Sequence, residues 1–258
     1  MSKAANNIFT SLVDKNLLIP FFRNAMLGND WPDSYSIKVD SSPYYGAGDG
    51  YFHPSTHCVT TNFNQAGARF LFYLFHEAYQ GLLVFEPRDI QDEMTLAMGS
   101  ALHAVVQTQF IQAGLLQEKD TEVEYVLDEH HVRGRIDMIP EVPRYGRVVT
   151  ELKTQNSRAY SFQKEVKLEW DAQLSMALEA EGEDEGVLLV LEAGHPYHMR
   201  EYRVRRNDRL LHEIFDKFAN VRESIQRDTP PSHCCAFGSP EMKKCPARYV
   251  CWLKDKVQ

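Results

Sequence analysis

The chain has 258 residues, 43% of them hydrophobic, enough to bury a substantial core in one enlarged domain or a domain with an appendage, and this excludes a disordered chain. The formal net charge of -8 gives no global attraction to nucleic acid, so any such affinity has to come from a local basic groove or from bound cations. The most apolar stretch, Phe70 to Phe85, is interrupted by His76, Glu77 and Gln80, and Met1-Ser2-Lys3 opens no apolar run of signal-peptide type. A cytoplasmic protein with no membrane span is expected.

In chain order, residues 1–30 read as a helical start and 31–57 as irregular chain rich in Gly, Pro, Ser and Tyr. The aromatic residues of 44–52 suit stacking on single-stranded bases or, more simply, anchoring of that loop to the core. From Asn64 to about Gln80, Phe70, Leu71, Leu74 and Ala78 recur at helical spacing, and a second helix runs from Asp89 to about Ala113 and carries His103. The period then changes to two. Val123, Tyr125 and Leu127 alternate with Glu122, Glu124 and Val126, followed by strands over Val132–Ile139 and Arg147–Thr154. Phe162 to Ala180 reads as a helix, Val187–Leu191 as a buried strand, His198–Val204 as an alternating strand and Asn207–Arg227 as a long terminal helix. The acidic run Glu181 to Glu185 fits a solvated turn. This order predicts an α/β architecture around a mixed sheet, organised as an N-terminal helical and loop region (1–88), a core (89–228) and a Cys-rich segment (229–258) packed as one unit.

The chemistry concentrates on two strands. Asp137 stands in Gly134-Arg135-Ile136-Asp137, and the next strand carries Glu151-Leu152-Lys153-Thr154. Because side chains alternate, Glu151 and Lys153 share one face while Leu152 points to the opposite, apolar layer. Two close carboxylates repel unless a divalent cation sits between them, and hard oxygen ligands favour Mg²⁺ or Mn²⁺. Such a cation acidifies a bound water and neutralises charge developing in a phosphate displacement, with Lys153 placed to position the water or stabilise the transition state. Taken alone, a Glu-x-Lys triplet is more often an ordinary solvent-facing pair on an edge strand. Arg133, Arg135, Arg144, Arg147 and Arg158 surround the pair and suit either a local basic groove or a solvated face. For His53, His57, His130 and His131 surface or loop positions are the default.

With its helix Gly99-Ser100-Ala101-Leu102-His103 ahead of Asp137 and Glu151-Leu152-Lys153, the chain resembles the RecB-like branch of the PD-(D/E)xK nuclease superfamily over about 54–252. The resemblance implies a restriction-endonuclease-like core, with His103, Asp137, Glu151 and the Leu152 carbonyl as metal ligands. It also implies Gln173 on the following helix as a site residue. The family's Tyr four residues on is Ala177 here, which puts in doubt the contact that Tyr would make with DNA or Lys153.

Four of the five cysteines, Cys234, Cys235, Cys245 and Cys251, crowd into the last 25 residues, and Cys58 stands far upstream. Four thiolates suit a 4Fe-4S cluster or structural Zn²⁺, the latter with His233 as a further ligand, and spacing does not separate them. One Cys before the His helix and three after the core looks like the iron-sulfur RecB-like exonucleases, which include the CRISPR-associated family and phage relatives. That resemblance implies a structural 4Fe-4S cluster on Cys58, Cys235, Cys245 and Cys251, with Cys234 as alternate to Cys235. The function it implies is Mg²⁺- or Mn²⁺-dependent exonucleolytic hydrolysis of single-stranded DNA or DNA ends, 5′ to 3′. The partners implied are DNA, recombination, repair or CRISPR-adaptation proteins, and a second copy in a homo-oligomer. Two other readings stay open: a DNA-end binding scaffold of the same fold with weak cutting, and a zinc-binding interaction module.

Overall fold

The alternating and apolar segments of the sequence pair into one mixed sheet. A computed structural model describes residues 16–28, 31–32, 34–35, 48–58, 67–86, 89–195 and 197–252. Most of the predicted N-terminal helical start and the Tyr44-Tyr45 part of the aromatic loop lie outside the described residues. The elements begin with helices α1 (Ile19–Gly28), α2 (Pro54–His57), α3 (Ala68–Phe75), α4 (Glu77–Gln80) and α5 (Ile90–Gln112). Strands β1 (Thr121–Leu127), β2 (Val132–Met138), β3 (Glu141–Val142), β4 (Gly146–Arg147) and β5 (Thr150–Gln155) follow. Then come α6 (Ser157–Phe162), α7 (Leu168–Glu181), β6 (Glu185–Glu192), β7 (Met199–Arg205), α8 (Asp208–Gln226), α9 (Pro240–Lys244) and α10 (Arg248–Trp252).

The five-stranded sheet has the order β1-β2-β5-β6-β7, antiparallel throughout except for the parallel pair β5 and β6. Helices cover both faces, which is why β6 is apolar on each of them. On one side Leu152, Val187 and Leu189 pack with Phe22 of α1 and with Val106 and Phe110 of α5. On the other Ile136, Leu188 and Val190 pack with residues of α3, α7 and α8, among them Phe70, Leu174 and Phe218. That second core also takes in Phe52, Cys58, Cys245 and Cys251, so chain from before and after the sheet closes over the same face.

Local chemistry sets the element ends. Asp89 accepts from Asp92 N at 2.8 Å to cap α5, whose first turn also carries Asp92 and Glu93 against the helix dipole. The helix expected over 64–80 breaks at His76, where the backbone is extended and the imidazole Nδ1 accepts from Ala78 N at 3.2 Å, capping α4. Arg147 belongs to the small β3–β4 hairpin, and β5 starts at Thr150. The helix expected over 162–180 starts only at Leu168 as α7, and Phe162 instead ends α6, a short helix not expected from the sequence, which Asn156 caps by accepting from Ala159 N at 2.8 Å. Within β2, Gly134 is required by close approach, since a Cβ there would lie 2.3 Å from the Tyr125 ring packed across it. No helix among the described residues is long and apolar enough to cross a membrane.

Candidate functional site

The site lies where the sheet splits. Strands β2 and β5 pair at Met138 and Thr150, and one step on, Leu152 N–H donates to Asp137 Oδ2 at 2.6 Å. A side-chain carboxylate thus satisfies a donor that a continued ladder would have given to a backbone carbonyl. Since the N–H and C=O of a strand residue point to the same side, the Leu152 carbonyl is directed toward this gap as well. Glu151 and Lys153 share a face as the alternation requires, and Leu152 is buried in the opposite layer. Lys153 Nζ donates to Glu151 Oε1 at 2.6 Å and to Gln173 Oε1 on α7. One turn further along α7, Ala177 is buried in the core.

Helix α5 completes the other wall. His103 Nδ1 lies 3.6 Å from Asp137 Oδ1, an ion-pair distance rather than a direct hydrogen bond. Glu122 joins them, although nothing in the alternation of β1 distinguishes it from a solvent-facing residue. The register pairs Thr121 with Met138 and Val123 with Ile136, so Glu122 stands opposite Asp137, with a left-handed backbone (φ 51°) inside the strand. Its Oε1 accepts from Gln107 Nε2 at 2.9 Å, its Oε2 lies 2.5 Å from Arg135 Nε, and the same Gln107 amide donates to the Asp137 carbonyl at 2.7 Å. One ligand atom each from His103, Glu122 and Asp137 lies within 4.8 Å of the others. Counting back across the β1–β2 turn from Leu127 opposite Val132 is the sequence signal that could have found Glu122.

The electrostatics follow from this crowding. Burial first, and then the neighbouring Asp137, push the Glu151 carboxyl up to about 7 against the pull of Lys153. For Asp137 burial works upward too, but His103, Lys153 and the Leu152 N–H outweigh it and hold the carboxyl below its ordinary value. Burial would lower His103 and Lys153; the carboxylates beside them raise both. This arrangement keeps one carboxylate ionised and makes the second costly to ionise until a cation is supplied. Imidazole nitrogen, two or three carboxylates and a backbone carbonyl form a donor set that fits Mg²⁺ or Mn²⁺.

The cleft between the walls has a volume of about 350 Å³, and His53, Ser55, Tyr125, Arg133 and Arg135 line it together with Glu124, Asp137 and Glu151. Arg144, Arg147 and Arg158 are not among its lining residues; Arg147 pairs with Asp120 at 2.9 Å. His57 is buried, His130 stacks on Phe215 with centroids 3.6 Å apart, and His131 turns the chain between β1 and β2 with φ 54°.

None of the five cysteines is in a disulfide. Burial, followed by the charges of Cys234, Cys251 and Cys235, pushes the Cys245 thiol up to about 12, while burial and then Cys235 and Cys251 raise Cys234 to about 11. The four thiols thus act on one another electrostatically, but among the described residues no three of their sulfurs come within 4.8 Å of one another. Arg69 Nε donates to Cys251 Sγ at 3.1 Å, and the backbone N–H groups of Phe70 and Ala247 work against the upward shifts of Cys234 and Cys245. Cys58 has a different neighbour. Burial pushes it up to about 12, and the charge acting on it is Lys217, whose Nζ donates to the His57 carbonyl at 2.8 Å and to that of Cys58. His233 stacks on Trp252 with ring centroids 3.8 Å apart.

No family model and no curated protein matches the chain. Among solved structures the crystal structure of SSO0001 is similar over 96% of this chain and 97% of that one, at 16% identity and a TM-score of 0.44.

Proposed function

We propose that this protein is a Mg²⁺- or Mn²⁺-dependent deoxyribonuclease of the PD-(D/E)xK type, RecB-like branch, acting on single-stranded DNA or DNA ends. The observation that carries the reading is Asp137 seated in the gap between β2 and β5 by the Leu152 N–H, beside Glu151 and Lys153. His103, Asp137, Glu151 and the Leu152 carbonyl would hold the cation, with Glu122 as a further donor on the same side. When bound, the cation supplies an acidified water and a Lewis-acid contact to the phosphate. Lys153, held between Glu151 and Gln173, presents its ammonium at a fixed point for the attacking water or the charge developing on phosphate. Gln173 lines the cleft itself and also accepts from the Lys153 ammonium.

The same reading includes a structural metal site made by the terminal cysteines. Four thiols outside any disulfide in the terminal segment are a donor type that suits a 4Fe-4S cluster or a Cys₄ zinc site, although among the described residues only His103, Glu122 and Asp137 bring three ligand atoms within 4.8 Å of one another. The proposed ligands are Cys58, Cys235, Cys245 and Cys251, with Cys234 as alternate to Cys235; Cys58 shares a buried core with Cys245 and Cys251, and its carbonyl accepts from Lys217.

Cleavage of end-labelled single-stranded and duplex DNA with Mn²⁺, Mg²⁺ or EDTA tests the nuclease reading. Metal-dependent cutting reduced at least a hundredfold by Glu151→Ala and by Lys153→Ala is the expected outcome, on the order of what a lost charge-stabilising group costs. The labelled products report polarity. Absence of cutting by an iron-replete wild type would leave a DNA-end binding scaffold as the better description.

A further inference from the structure

The cleft has a second polar wall that the acidic centre does not use. It comes from residues 48–58, which are anchored to β2 beyond the point where β5 has parted from it. Phe52 N–H donates to the His131 carbonyl at 2.8 Å, Arg133 N–H donates to the Phe52 carbonyl at 3.0 Å, and the Phe52 ring stacks on Phe218 at 4.0 Å. Asp49 is the hub. Its Oδ2 accepts from Arg133 NH1 at 3.0 Å, and its Oδ1 meets His53 Nε2 at 3.1 Å and accepts from Tyr51 N–H at 3.1 Å. The Arg133 guanidinium lies over the Tyr51 ring at 4.4 Å, and His53 N–H is tied to His57 Nδ1 at 2.7 Å. The Arg133 and His53 side chains are thereby held by Asp49 on the cleft wall, with Ser55 beside them.

Holding a long side chain in place costs conformational entropy, and surface ion pairs return little stability, so this clamp needs a reason other than folding. Asp49 occupies only one end of the guanidinium fork, which leaves further N–H donors, and Arg carries its charge at any working pH. Arg133 also stands four residues along β2 from Asp137, about 13 Å at the rise of a strand. A phosphate held there lies further along the same strand of nucleic acid than the one at Asp137, not next to it.

We propose that Arg133 and His53, positioned by Asp49, form a phosphate shelf that takes a backbone phosphate of the bound DNA strand away from the one being cut. The proposal rests on the nuclease reading for the identity of the strand but is tested by binding alone. A fluorescein-labelled oligothymidylate is titrated with the full chain in Ca²⁺, and the dissociation constant is followed against salt by anisotropy. Arg133→Gln is expected to weaken binding about tenfold and to lower the slope of log affinity against log salt by about 0.7, the value of one single-strand phosphate contact. His53→Gln should weaken binding less, and Arg209→Gln, on the exposed side of α8, should change neither quantity. Asp49→Ala separates positioning from bulk charge: it removes a negative charge, yet the shelf requires it to weaken binding. An unchanged slope in Arg133→Gln, or tighter binding by Asp49→Ala, overturns the shelf. Wild type that cuts DNA while Arg133→Gln binds normally overturns the shelf and leaves the nuclease. Wild type that shows these binding dependences without cutting does the reverse.

Discussion

Glu122 has the backbone conformation of a turn residue inside a regular strand, and its carboxylate faces Asp137 across the ladder. A non-glycine residue with positive φ costs of order 1–3 kcal/mol, so the surrounding contacts with Gln107 and Arg135 must hold it there. If Glu122 supplies a ligand or orients one, Glu122→Gln should weaken Mn²⁺ binding by about 10- to 100-fold in calorimetric titration while leaving the melting temperature of the metal-free protein nearly unchanged. An unaltered Mn²⁺ affinity would reduce Glu122 to a partner of Arg135. Lys153 illustrates the opposite case. Its place beside Glu151 follows from strand alternation alone, and what folding adds is the Gln173 contact that fixes its ammonium.

At the scale of elements, the parting of β2 and β5 makes the cleft, and the segment bearing Phe52 closes its outer end. Phe52 and Phe218 stack with their planes 4° apart, both fully buried, so this pair ties the segment to α8. Phe218→Ala should destabilise the fold by about 3–5 kcal/mol in urea denaturation. It should also speed hydrogen exchange at the amides of Phe52 and Arg133, which link that segment to β2. Loss of stability with unchanged exchange at those two amides would mean that the backbone bridge, not the aromatic stack, holds the segment. The helix predictions show what local chemistry reaches. The cap at Asp89 is readable as an N-terminal signal, whereas the break at His76 is not, because an imidazole serving as a cap inside an apolar periodic run leaves no pattern in composition.

For the whole molecule, the tail from Cys234 to Cys251 packs on the α3 side of the core, where Arg69 donates to the Pro231 carbonyl at 2.8 Å as well as to the Cys251 sulfur. A metal bound by those thiolates would be linked to folding, because the assembled ligand set exists only in the folded chain. Removing it with a strong chelator should lower the melting temperature by several degrees, and Cys251→Ser should have the same effect before any chelator is added. Visible absorption that is lost on chelation would identify iron and sulfur; a colourless protein releasing one equivalent of zinc would identify the alternative. Equal melting temperatures with and without chelator would leave the cysteines as packing residues.

How much was legible depends on the range of the interaction. Period-two alternation placed Glu151 and Lys153 on one face and Leu152 in the core, and the order of helical and alternating segments indicated an α/β fold with a mixed sheet, because both depend on geometry that repeats within a few residues. Tertiary structure decided the rest. Glu122 meets Asp137 through hairpin register, Asp49 and His53 reach the cleft because residues 48–58 run along β2, and Cys58 lies against Lys217 because α8 packs there. Each of these pairings joins residues brought together by the burial of a shared core, and a linear pattern carries no record of which distant residues that burial makes neighbours.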